Sequence, residues 1–321
     1  MNVTGNQQTA TTHRYLLIAG TPKAATTSLF RYLTDHPEIC GANRKETYFF
    51  ARDFDNKNVC QVEDTLAAFE SYFAYGDGTE KVRVEATPYT LYSQNSVSKI
   101  ANILTDVQIL VVLRDPIERF ISDFRFRKQR SLPEVQDKSF TEYSTTLLAK
   151  QGDENNPLLV GRYIDYLHPF YETFGEERVT VLFYEELKAN LLAEMKQLCR
   201  CLGIVPEFYD SYQFNVHNRT INVRYRWLNQ LRMNLEPQVA TLRKVALHHP
   251  VAHRLFEQAV DVGRTVFSRF NHQQGAIDVS LSPEIRRALL DYYCPLNQAL
   301  SKKLARPLPW KSFTPSPLAS Q

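Results

Sequence analysis

An apolar strand that runs directly into a hydroxyl-rich helix start constrains this chain more than any other feature. Tyr15-Leu-Leu-Ile-Ala19 is a run of strand formers that stops at Gly20. A short loop with Pro22 and Lys23 follows. Thr26, Thr27 and Ser28 then open a segment with apolar residues at Leu29, Phe30 and Leu33, which is helical spacing. The first turn of a helix carries backbone N–H groups without intrahelical partners, together with the positive end of the macrodipole. A strand, loop and helix start in this order therefore presents an anion site at the amides of residues 24–28. The lysine and three hydroxyls point to a phosphate or sulfate group there. The same residues also fit an ordinary strand-to-helix turn with threonine caps. The nucleoside-triphosphate pattern, with Gly-Lys-Ser/Thr at the helix start, is absent, because Lys23 precedes the hydroxyls and Ala24-Ala25 stands where that loop is glycine-rich.

A second segment adds weight to the anion reading. Ile109 to Leu113 is apolar throughout, as expected of a parallel strand buried on both faces. Arg114 follows at its carboxyl end, Pro116 suits a helix start, and Ser122 lies two helical turns beyond Arg114. A guanidinium fork binds phosphate in bidentate fashion and a hydroxyl adds a further hydrogen bond. Arg119 is expected to be structural, pairing with nearby carboxylates. Ligands of open α/β sheets sit outside the carboxyl ends of the strands, where both segments end.

Together the two segments resemble the nucleotide-binding motifs of sulfotransferases that use 3′-phosphoadenosine 5′-phosphosulfate (PAPS). The first is similar to Pro-Lys-x-Gly-Thr-Thr-Ser/Thr-Leu, with Ala25 where glycine is more common. The second is similar to Arg-Asp-Pro-x-x-Arg-x-x-Ser. The resemblance implies PAPS as sulfuryl donor and no obligatory metal. It places Lys23, Ala24, Ala25, Thr26, Thr27 and Ser28 around the 5′-phosphosulfate, and Arg114 and Ser122 at the 3′-phosphate.

The resemblance extends over most of the chain. Arg44-Lys45-Glu46-Thr47-Tyr48-Phe49-Phe50 is similar to the heparan-sulfate-type branch and its bacterial relatives, where Glu followed by x-x-Phe-Phe supplies the catalytic base. That implies Glu46 as base and Lys23 as its catalytic partner, neutralising charge on the departing phosphate. Tyr48 stands where the heparan enzymes often carry His. Val84-Glu85-Ala86-Thr87-Pro88-Tyr89 is similar to Val-Glu-Lys-Thr-Pro-Tyr/Ala, with Ala86 in place of the lysine. Glu85 is expected to hold Lys23 or the acceptor. Asn218 to Leu228 resembles the basic loop near the 3′-phosphate, and Arg224 is favoured there over Arg219 and Arg226. Tyr292 to Trp310 resembles the family's terminal helix and Trp ending.

The fold expected is α/β, a P-loop-like three-layer αβα arrangement with a central parallel sheet flanked by helices. At 321 residues the chain has the length of two average domains, yet no linker divides it. The organisation expected is a disordered tail over 1–13, one domain over 14–311 and a tail over 312–321. Within the domain, 131–160 is polar and loop-rich, in the manner of a lid or acceptor loop. Tyr163 to Phe174 reads as an amphipathic helix, and Val82–Glu85 and Val179–Phe183 as strands.

The net charge of +3 lies far from that of a dedicated nucleic-acid binder. The cluster Arg125 to Arg130 fits a solvated helix face and an anion contact equally well. Five cysteines without framework spacing suggest reduced thiols. His248, His249 and His253 lack a neighbouring carboxylate or thiol ligand, so no metal is expected. The first apolar run is too short for a signal or membrane span, and the location expected is cytoplasmic. The acceptor expected is a small metabolite or carrier-bound intermediate, with a glycan as the second choice. Two other classes share these features. One is a nucleotide-dependent phosphotransferase, which Mg²⁺-dependent ATP turnover would reveal. The other is a non-catalytic nucleotide-binding relative, which would be free to lose Glu46.

Overall fold

The computed structural model describes residues 13–55, 60–74, 76, 78–150, 153, 155–214, 222–223, 263, 272–273 and 279–313. The chain forms two compact units, one of residues 1–120, 147–218 and 283–321, the other of residues 121–146 and 219–282.

The first unit is built on a five-stranded sheet in the order β2-β3-β1-β4-β5. The strands are β1 (Arg14–Gly20), β2 (Ile39–Gly41), β3 (Val82–Glu85), β4 (Val107–Leu113) and β5 (Val179–Phe183), and every pairing is parallel. The apolar runs read from the sequence are therefore strands, β3 and β5 within the expected limits. Residues alternate across the sheet, so each central strand feeds two cores. From β1 and β4, Tyr15, Leu17, Ala19, Ile109, Val111 and Leu113 enter one core. Leu16, Ile18, Leu110 and Val112 enter the other. Each buried aliphatic side chain contributes roughly 1.5–3 kcal/mol relative to exposure, which is why the uninterrupted runs settle at the centre.

Helices cover both faces. The second core takes Leu29 and Leu33 of α1 (Thr26–Thr34) and Met195, Leu198 and Leu202 of α8 (Leu191–Leu202). The first core takes Phe69 of the short α2 (Leu66–Glu70), Ile100 of α3 (Ser96–Ile103), and Tyr163, Leu167, Phe170 and Phe174 of α6 (Tyr163–Phe174). The helix α7 (Tyr184–Ala189) follows β5, and the C-terminal helix α9 (Pro283–Lys303) sends Leu300 into the first core beside Trp310. Trp310 is thus a packing residue.

The chain leaves β1 towards β2 and β3 on one side, and reaches β4 and β5 on the other. The crevice between the carboxyl ends of β1 and β4 is the topological switch point, where such sheets bind ligands.

The second unit contains the antiparallel pair β6 (Asn222–Val223) and β7 (His272–Gln273). It also holds most of α4 (Pro116–Gln129) and of α5 (Phe140–Ala149). The helix α5 lies within residues 131–160, whose polar composition suggests loop. Its signal is a capping box. The Ser139 hydroxyl accepts from the Glu142 amide at 3.2 Å, and Glu142 accepts from the Ser139 amide at 2.7 Å. Phe140, Tyr143 and Ser144 supply its buried side. In the basic cluster, Arg127 pairs with Asp123 and Glu134, and Lys128 lies over the Phe124 ring.

Candidate active site

Four loops leave the sheet at its carboxyl edge and carry nearly all the expected site residues of the first unit. The loop after β1 delivers Lys23 and the start of α1. Ala25 is the residue before the helix, and no side chain caps the first turn. A helix start that lacks a side-chain cap from its N-cap residue is suited to an anion. Ala24 is fully buried and Thr26 nearly so, while Thr27 and Ser28 are half-buried. Lys23 and Ala25 have φ of 74° and 63°, a left-handed conformation that glycine adopts more easily than alanine. The glycine expected at position 25 from the resemblance has this backbone reason.

The loop after β4 delivers Arg114. Its Nη1 donates to the Lys23 carbonyl at 3.0 Å. The guanidinium lies 4.7 Å from the Tyr184 ring centroid, a cation–π contact. Its pairing with Glu118 is loose, at 3.8 Å. Arg114 Nε is buried with no hydrogen-bond partner among the described residues. A buried guanidinium donor left over beside uncapped helix amides fits a phosphorylated nucleotide. Asp115 fixes the start of α4: its Oδ1 accepts from the Ile117 and Glu118 amides at 3.0 and 3.3 Å, and its Oδ2 from the Ser312 amide at 3.1 Å. Ser122 falls in the second unit, half-buried on α4.

The loops after β2 and β3 build the Glu46 turn. Glu46 and Tyr48 have φ of 63° and 57°, and consecutive amides are all fastened. Glu46 N–H donates to the Ala86 carbonyl at 3.0 Å. Thr47 N–H donates to Glu85 Oε1 at 3.1 Å, Tyr48 N–H to the Thr87 hydroxyl at 3.1 Å, and Phe49 N–H to the Thr47 hydroxyl at 3.2 Å. Phe49 and Phe50 anchor the turn in the core.

Glu85 is the hub of this turn. It accepts from Thr47 at both amide and hydroxyl, and from the Thr87 hydroxyl at 2.5 Å. Burial raises its pKa against these hydrogen bonds. The sequence reading gave it Lys23 or the acceptor as partner; the structure turns it towards the Glu46 loop. The signal was present in Thr47 and Thr87, but only the pairing of β2 with β3 brings them together.

Both oxygens of Glu46 are engaged. Lys45 Nζ lies 2.6 Å from Oε1, and the Tyr48 hydroxyl donates to Oε2 at 3.3 Å. Burial and the Glu46 charge raise the Tyr48 pKa, so this phenol stays a donor. The Lys45 and Glu46 side chains are 17 % and 39 % exposed. Such a partly wet pair is weak and is exchanged readily.

Arg119 differs from its expectation in partner. It is buried and donates to the Pro157 carbonyl at 2.9 Å and to the Tyr293 hydroxyl. Arg224, with Arg219 and Arg226, lies outside the described residues, as do His248, His249 and His253. Cys199 is buried and Cys201 exposed, on different sides of α8. No helix among the described residues is long and apolar enough to cross a membrane.

Residues 13–235 match the family model described as the sulfotransferase domain. Mouse heparan sulfate glucosamine 3-O-sulfotransferase 3B1 is 22% identical over 261 residues, covering 81% of this chain and 63% of that protein. The membrane-associated sulfotransferase kil1 of Dictyostelium discoideum is 31% identical over 113 residues, 35% of this chain and 23% of that protein. The chain thus spans less than two thirds of the length of these curated relatives. A crystal structure of a sulfotransferase from Alicyclobacillus acidocaldarius superposes with a TM-score of 0.62 at 20% identity, covering 93% of this chain and 98% of that one. At that identity the likeness is one of fold.

Proposed function

We infer that this chain, which belongs to the sulfotransferase domain family, transfers a sulfuryl group from PAPS to a hydroxyl of an acceptor. The observation that carries the reading is the Arg114 guanidinium held 3.0 Å from the Lys23 carbonyl at the mouth of an uncapped helix. Two elements suited to anions lying side by side support a nucleotide that carries phosphate on both sides of its ribose.

Bound PAPS supplies the sulfuryl group in activated form, as a mixed phosphate–sulfate anhydride. The amides of residues 25–28 and the hydroxyls of Thr27 and Ser28 bind its 5′ end, while the Ala24 amide donates to the Thr21 carbonyl at 3.2 Å. Arg114 binds the 3′-phosphate with its fork. Lys23 neutralises charge that builds on the phosphate side of the breaking bond. Glu46 accepts the proton from the acceptor hydroxyl. For that role Glu46 must exchange Lys45 for the acceptor, which the partly exposed pair allows, while Tyr48 keeps the carboxylate oriented. Positioning and electrostatics carry most of the rate, as in phosphoryl transfer.

The acceptor is assigned to small metabolites or carrier-bound intermediates. Ala86 supports this. It is fully buried and offers no charge to a polyanion at the position where the resembling segment has lysine.

Calorimetric titration with 3′-phosphoadenosine 5′-phosphate (PAP), adenosine 5′-phosphate and ATP tests the reading. Selective binding of PAP without metal is the expected result. Binding of ATP only, and only with Mg²⁺, would replace it with a phosphotransferase.

A further inference from the structure

Residues 157–163 form a segment that buried side chains tie to both halves of the candidate nucleotide site. Arg119 donates to the Pro157 carbonyl at 2.9 Å, Tyr293 to the Leu158 carbonyl at 2.8 Å, and Tyr92 to the Val160 carbonyl at 2.9 Å. The Tyr92 oxygen also lies 2.9 Å from the Thr21 hydroxyl. A phenol has one proton, and a carbonyl can only accept, so Thr21 is the donor in that second bond. Thr21 belongs to the loop after β1. At the far end of the segment, the Tyr163 hydroxyl donates to the main-chain carbonyl of Arg114 at 2.8 Å.

The Arg114 carbonyl has reason to need that bond. The amide four residues on, Glu118 N–H, is taken by the Asp115 side chain, so the helix itself does not satisfy the carbonyl. Tyr163 is 1 % exposed and packs on Trp310 with ring centroids 5.8 Å apart. Burial keeps its phenol protonated. The chain of contacts therefore runs from Tyr163 to the Arg114 peptide, and from the Arg114 guanidinium to the Lys23 carbonyl.

We propose that Tyr163 is a positioning residue for nucleotide recognition: its hydroxyl fixes the Arg114 peptide and so sets where the Arg114 fork meets a 3′-phosphate. The proposal rests on the PAPS reading above. Tyr92 does the same service for Thr21 on the 5′ side, and the 157–163 segment holds the two tyrosines in register.

The test is calorimetric binding of PAP and of adenosine 5′-phosphate to the full chain, in wild type, Tyr163→Phe and Tyr293→Phe, with thermal midpoints measured alongside. Tyr293 is the control: its hydroxyl is equally buried, donates to the Leu158 carbonyl and accepts from Arg119, and bonds to neither Arg114 nor the loop after β1. In Tyr163→Phe, PAP affinity is expected to fall roughly tenfold, the loss of one well-placed hydrogen bond's worth of orientation. Binding of adenosine 5′-phosphate should stay within about twofold of wild type, since a difference that small is only a fraction of one such bond. Tyr293→Phe should lower the midpoint and keep the wild-type preference for PAP. An unchanged preference in Tyr163→Phe, or an equal loss for both nucleotides, overturns the proposal and leaves Tyr163 a packing residue. A wild type without preference for PAP is a different failure, since it removes the donor assignment itself and this proposal with it.

Discussion

Arg114 and Lys23 are 91 residues apart in sequence, yet Nη1 of the first donates to the main-chain carbonyl of the second at 3.0 Å. The bond exists because β1 and β4 are neighbours in the sheet and both end at the same edge. It ties to the loop after β1 a guanidinium whose buried Nε has no hydrogen-bond partner among the described residues.

Arg114→Ala should cost PAP about 10- to 100-fold in affinity, the worth of a charged hydrogen-bonding pair. Adenosine 5′-phosphate should lose far less. Arg114→Lys should recover only part, because an ammonium keeps the charge and loses the fork. Titration of both nucleotides into both variants measures this. Equal losses for the two nucleotides would count against a 3′-phosphate contact.

Glu46→Gln should lower turnover by roughly 10²–10⁴ while PAP binding stays near wild type. Single-turnover sulfuryl transfer, set beside calorimetry, separates the two effects. Near-normal turnover would remove Glu46 from the base role.

Ala25 has φ of 63°, which costs an L-residue roughly 1–2 kcal/mol. Part of that gain is offset in Ala25→Gly by the freer unfolded chain. The variant should therefore be more stable by up to about 1 kcal/mol. Ala25→Val should be clearly less stable, since a branched side chain tolerates this conformation worst. Denaturant midpoints at constant slope read both changes.

Glu85 is buried, and its carboxyl pKa is raised above 4.5 by burial. The folded state then holds a proton that the unfolded state has already released. Its contribution to stability is complete below pH 4.5 and is lost as pH rises through the higher folded value. The slope for one proton is at most about 1.4 kcal/mol per pH unit. Glu85→Gln should flatten the fall in thermal midpoint over that window. An identical pH profile in wild type and variant would mean that Glu85 is ionised in the folded protein.

Local pattern was enough for much of this protein. The runs at Tyr15–Ala19 and Ile109–Leu113 are uninterruptedly apolar because they are buried on both faces, and such runs declare parallel strands without any knowledge of their partners. Lys23, the hydroxyls of α1 and Arg114 follow those strands directly, so their place at the carboxyl edge was legible too. The helix α5 was legible in principle through the Ser139–Glu142 box, but its polar surroundings hid it.

The tertiary structure alone decided what each of these residues touches. Strand order put β4 beside β1 and so brought Arg114 to Lys23. The pairing of β2 with β3 turned Glu85 away from the nucleotide loop and made it the hub of the Glu46 turn. The packing of α6 carried Tyr163 to the Arg114 carbonyl. Hydrogen bonds between segments depend on which strands are neighbours, and neighbours are chosen by the burial of whole faces. A single stretch of sequence records which face it buries, and not what lies on the other side.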